Sequence, residues 1–185
     1  MEFSENFRRS LHFVFGNEGG LSNHPADKGG LTMMGITSGT LAAANKQGIV
    51  SCSDIRKLTR EEAAEIYEVN YWERSHANDM PWPLCCLHFD AAVNSGIGGA
   101  GRLLQRTLNS LFKTGLLVDG SVGSQTLREL KHFIALGKVN AISTEYCNQR
   151  EELYKRIVKN NPAQRIFLNG WLNRLARNRQ LIEVV

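Results

Sequence analysis

The segment from Trp82 to Asn94 constrains this chain more than any other: Leu84, Cys85, Cys86, Leu87, Phe89, Ala91, Ala92 and Val93 leave it apolar on most sides. A helix that is apolar all round has to be enclosed by other elements. Its partners are legible as further helices. Phe3, Phe7, Leu11, Val14 and Phe15 recur at helical spacing and predict an amphipathic helix that ends near Gly19 and Gly20. Further helices are predicted at Ser38 to Gln47, Arg60 to Tyr71 with a capping box in Thr59 and Glu62, Ala100 to Phe112, Ser124 to Leu136, Val139 to Lys159, and from Trp171 onward. Between Gly19 and Thr37 the chain is rich in Gly, Asn, Asp and Pro and reads as loops with a short hairpin. No alternating apolar run is long enough for a large sheet, so the fold class is all-α, with at most a small β-hairpin after the first helix.

At 185 residues the chain fits one domain, or a compact domain with a closely packed extension. No stretch approaches the roughly 18 to 20 apolar residues of a membrane span. Polar and acidic residues at the start, Glu2, Ser4, Glu5 and Asn6, stand where a signal peptide needs a basic and then an apolar stretch, which predicts a protein held in the cytoplasm. Cys52, Cys85, Cys86 and Cys147 lack Cys-x-x-Cys spacing and read as free thiols; a zinc site at Cys85, Cys86 and His88 would ask one helix segment to converge three ligands. A net charge of +4 favours a polyanionic partner without naming it, and for so modest an excess a scattered solvated surface is the favoured reading.

The segment Asn17 to Thr37 holds what acid-catalysed glycoside hydrolysis requires: a carboxyl that stays protonated, a second ionised carboxylate, and open access for sugar. Glu18 falls at the C-terminal end of the first predicted helix, where the helix dipole disfavours ionisation. Gly19 and Gly20 leave no side chains to block a glycan. Asp27, among turn residues, is placed to stay ionised and position a water, and the Thr32 hydroxyl to hold it. Each has a plainer reading: a solvated helix-terminal charge, a turn former beside Pro25, and a strand residue.

Asn17-Glu18-Gly19-Gly20, Pro25-Ala26-Asp27, Gly29-Gly30, Thr32 and Gly35-Ile36-Thr37 together resemble the signature of the glycoside hydrolase family 108 muramidases. Similarity continues through Tyr71-Trp72, Phe89 to Gly96 and Leu104-Gln105-Arg106. Val118-Asp119-Gly120, Val122-Gly123, Thr126-Leu127 and Gly170 to Arg174 resemble the peptidoglycan-binding region that follows in that family. The resemblance implies a lysozyme-like helical fold, a catalytic region at 1–92 and a peptidoglycan-binding helical region at 93–185 packed as one unit. It also implies hydrolysis of the β-1,4 bond from N-acetylmuramic acid to N-acetylglucosamine, with Glu18 as the acid. The spacing of Glu18, Asp27 and Thr32 is similar to the constellation of phage-type lysozymes, with one residue fewer between Asp27 and Thr32. Where the family commonly has Asn and then Tyr after the threonine, this chain has Met33 and Met34, a departure that points to altered sugar or peptide contacts.

Asp90 and Asn94, four apart on the apolar helix, either face the cleft as substrate-binding residues or satisfy buried polar groups, the latter favoured. Arg102 and Arg106 either meet carboxylates of the muropeptide or are solvated. Trp72, Trp82 and Trp171 read as core residues before sugar platforms, and His88 as a satisfied core histidine. No cofactor is implied, since hydrolysis by two carboxylates needs none and no nucleotide or metal motif is present. The expected partner is bacterial peptidoglycan, reached through a holin, a secretion route or lysis, as a phage endolysin or a toxin-secretion muramidase. Neither nucleic-acid binding nor membrane insertion is expected. A non-catalytic peptidoglycan-binding module is the alternative.

Overall fold

A computed structural model describes residues 3–17 and 32–183. Among them are eight α-helices and one two-stranded ribbon of two residues per strand, so the protein is all-α with a small hairpin after the first helix, as the sequence predicts. Its contacts divide into two units, Met1–Arg74 and Ser75–Val185.

In the first unit, helix α1 (Glu5–Asn17) buries Phe7, Leu11 and Val14 of the predicted stripe, Phe3 and Phe15 being only partly covered, and Phe7 packs on the buried Trp72 at 5.4 Å between ring centroids. Strands β1 (Thr32–Met33) and β2 (Ile36–Thr37) pair antiparallel, Thr32 with Thr37 and Met33 with Ile36. Helix α2 (Ser38–Lys46) starts on Thr37, whose hydroxyl accepts from the Thr40 N–H at 3.0 Å. Helix α3 (Arg60–Tyr67) carries the predicted capping box: the Thr59 hydroxyl accepts from the Glu62 N–H at 3.1 Å and the Glu62 carboxylate from the Thr59 N–H at 3.2 Å. Beyond Tyr67 the backbone widens into a π-helical stretch, Glu68–Glu73, which the side-chain pattern did not announce.

The second unit is built around α4 (Leu84–Ser95), whose residues from Leu84 to Ala92 are all buried. Helices α5 (Ile97–Phe112) and α7 (Val139–Asn160) pack on it, α6 (Ser124–Ala135) packs on α5, and α8 (Arg165–Glu183) packs on α7. The break between units precedes the 92/93 boundary read from the sequence, so α4 groups with the helices that enclose it. Helix α8 begins before the predicted Trp171 because Asn161 caps a short turn at Pro162–Gln164 and the helix runs on through Gly170.

The loop before α6 is locked onto α5 by one glutamine. Gln105 donates from Nε2 to Asp119 Oδ1 at 2.8 Å and to the Ser121 carbonyl at 3.0 Å, while its Oε1 accepts from the Gly120 N–H at 2.8 Å. Backbones then approach so closely that a Cβ on Gly101 would lie 2.2 Å from the Gly120 carbonyl oxygen. The Gln105 and Asp119-Gly120 motifs are thus accounted for by packing.

His88 on α4 is fully buried. Its Nε2–H donates to the Ser75 carbonyl at 3.0 Å, which leaves Nδ1 to accept from the Tyr146 hydroxyl at 3.0 Å. Burial pushes its pKa down to about 4, the Ser75 carbonyl opposing this in part. The folded state therefore refuses a proton that the unfolded chain takes up near pH 6.5, so stability falls as pH drops from about 6.5 to about 4. This group alone is expected to remove about 2 kcal/mol between pH 7 and pH 5. Urea unfolding of wild type and His88→Gln at both pH values checks it: the variant should lose distinctly less on acidification, and an equal loss in both would contradict the assignment.

Candidate functional site

Glu18 and Asp27, the two carboxylates proposed from the sequence, lie outside the described residues, as does the Thr32 side chain. What the structure describes of this region is the hairpin. Thr32 is in β1 by its backbone, and Met33 pairs with Ile36. Met34 and Gly35 form the two-residue turn, with φ of 50° and 75°. Both central residues at positive φ match the turn that fits the natural twist of a hairpin, a turn that favours Asn-Gly. The Tyr67 hydroxyl on α3 donates to the Met34 carbonyl at 3.0 Å and ties the turn to that helix. Both methionines are half-buried.

Holding a methionine in the left-handed region costs about 1–2 kcal/mol, which an asparagine largely avoids. Met34→Asn keeps the carbonyl that Tyr67 binds and is expected to stabilise the protein by about 0.5–1 kcal/mol. An unchanged or lowered urea midpoint would show that Met34 packing outweighs the backbone strain.

The other predicted contact residues are in the second unit. Asp90 is fully buried in α4, with Arg150 and Arg174 in ion pairs to its two oxygens and the Asn178 amide donating to it at 3.0 Å. Burial alone would raise its carboxyl; the Arg150 and Arg174 guanidiniums outweigh that and hold it below the usual range. With both oxygens engaged and no exposed surface, Asp90 cannot contact substrate, and its place among the substrate-binding candidates is corrected to a structural one. Asn94, one turn on, is exposed, and its Oδ1 lies 3.4 Å from both Arg150 Nη2 and the Tyr154 hydroxyl.

Asn94 and Arg102 open onto one groove of about 470 Å³, which Arg106, Tyr154, Arg156 and Trp171 also line. The volume is that of a site for a small molecule or short peptide. Tyr154 and Arg156 were not singled out from the sequence. They reach the groove from α7, far along the chain from Arg102 on α5, and no local spacing links them. Cys85, Cys86 and Cys147 are buried, and none is in a disulfide among the described residues.

Comparison with known proteins matches residues 11–96 to the family model described as Glycosyl hydrolase 108 and residues 99–176 to the one described as Predicted Peptidoglycan domain. Among solved structures, the chain is similar to SagA of Brucella abortus, with 31% sequence identity and a TM-score of 0.76 over 96% of this chain and 94% of that one. No curated protein gives a significant match.

Proposed function

The chain belongs to the glycosyl hydrolase 108 family, a glycoside hydrolase acting on peptidoglycan, and from that premise we propose that it is an N-acetylmuramidase with Glu18 as general acid. The match of residues 11–96 to the family, together with a relative alike over almost the whole chain, carries this reading. Glu18 directly follows α1 in the chain, and the negative end of a helix favours the protonated carboxyl that an acid catalyst requires. Glu18 passes its proton to the bridging oxygen as the bond to the muramic acid anomeric carbon breaks. A water attacks that carbon and gives its proton to Asp27, with Thr32 holding the water in line. This arrangement requires the two carboxyls to stand roughly 6.5–9.5 Å apart and gives an inverted product.

The Met33 and Met34 side chains replace an amide and a phenol and shift preference among wall types rather than the chemistry. The enzyme remains in the cytoplasm until a holin, a secretion route or lysis brings it to the wall, as an endolysin or as a host enzyme that opens the wall for cargo. Incubation of the purified chain with peptidoglycan of several crosslink types tests the activity. New reducing ends are expected; wall binding without any release would instead make the protein a binding module.

A further inference from the structure

The groove on the second unit is more than a gap between helices. Arg102, Arg106 and Arg156 line it together, and among the described residues none of the three has a carboxylate within ion-pair distance. Asp119, whose carboxylate feels Arg102, is held by Gln105 and the Ser121 N–H. Arg106 is half-buried, and its pKa is lowered by burial and by the charges of Arg156 and Arg102. Like charges gathered without compensation favour an anionic ligand.

Aromatic rings, backed by a buried ion pair, form another part of the groove. Trp171 stacks on Tyr154 with ring centroids 5.2 Å apart, and the exposed Phe167 extends the stack at 6.0 Å. Arg150 Nε donates to the Tyr154 hydroxyl at 2.7 Å, so the buried Asp90–Arg150 pair fixes the aromatic wall from below. The groove thus combines three forked cations with apolar aromatic surface in one lining. Guanidinium forks match planar carboxylates, and the aromatic face suits the small apolar groups between them.

We propose that this groove binds the stem peptide of peptidoglycan, with Arg102, Arg106 and Arg156 taking its free carboxylates and the Tyr154–Trp171 wall lying against its methyl groups. This rests on peptidoglycan being the substrate. In that polymer the amide-linked glycan is neutral and the peptide carries the negative charge, so a cationic groove has the peptide as its complement. The second unit would hold the enzyme where uncut peptides are dense while the first acts on sugar.

The test is calorimetric titration of the full chain with N-acetylmuramyl pentapeptide, a single-sugar ligand with no bond for a muramidase to cut. Wild type should bind it, and amidation of the peptide carboxylates should weaken binding at least tenfold. Arg106→Gln with Arg156→Gln should do the same, with the fold verified by circular dichroism. Arg102→Gln, at an exposed position, serves if the double variant does not fold, and should cost about tenfold. Uncharged chitotetraose should bind the double variant and wild type alike. Equal affinity for the amidated peptide, no effect of the arginine variants, or equal competition by inorganic phosphate or duplex DNA would overturn the proposal. Reducing-end release from walls is scored separately: binding without release sinks the muramidase reading and leaves the groove, and release without pentapeptide binding does the reverse.

Discussion

Glu18→Gln is expected to lower the release of reducing ends from purified peptidoglycan by at least about a hundredfold, with the circular dichroism spectrum unchanged. A positioned general acid typically contributes about 10²–10⁴-fold, and glutamine keeps the shape of glutamate while removing the proton it donates. Because the substitution leaves the groove arginines in place, affinity for N-acetylmuramyl pentapeptide should stay at the wild-type level. Loss of turnover with retained binding would separate the proton donor from the wall-holding surface. Equal release by variant and wild type would put the acid on another residue.

Asp90→Ala is expected to destabilise the protein by about 3–5 kcal/mol, a large part of the total stability of a typical domain. The reason lies in what remains: Arg150 is fully enclosed and Arg174 nearly so, and without the carboxylate two buried guanidiniums are left without their shared counter-charge. Removing the whole network should cost less than removing its centre, so Asp90→Leu combined with Arg150→Met and Arg174→Met should be the more stable protein. Urea unfolding of the three proteins decides this. A loss under about 1 kcal/mol for Asp90→Ala would mean that water reaches the network. Acid acts on the same group: its folded-state pKa is depressed, so the stability it contributes is present above the ordinary carboxylate range and lost as pH falls below it.

What the sequence made legible was local. The Phe7, Leu11 and Val14 stripe, the Thr59–Glu62 box and the uniformly apolar α4 each follow from neighbours a few residues apart, and each stands where it was expected. The predicted start at Trp171 fell six residues late: α8 begins at Arg165 and runs through Gly170, where packing against α7 outweighs a glycine penalty of about 1 kcal/mol. Asp90 kept two readings until its partners were located, since Arg150 and Arg174 lie 60 and 84 residues away and no spacing rule joins them to it. Arg156 and Tyr154 escaped notice for the same reason: helix packing brings α7 beside α5, and only then do their side chains share a groove with Arg102. Glu18 and Asp27 rest on the Glu-Gly-Gly and Pro-Ala-Asp motifs and on the chemistry those residue types permit.

The most direct test of the central claim is the identity of the sugar at the new reducing end. Peptidoglycan digested by the wild-type enzyme, reduced with borohydride and analysed by mass spectrometry, should yield fragments ending in reduced N-acetylmuramic acid, as cleavage of the bond from that sugar to N-acetylglucosamine requires. Fragments ending in reduced N-acetylglucosamine, or no new reducing ends at all, would contradict the assignment of this chain as a muramidase.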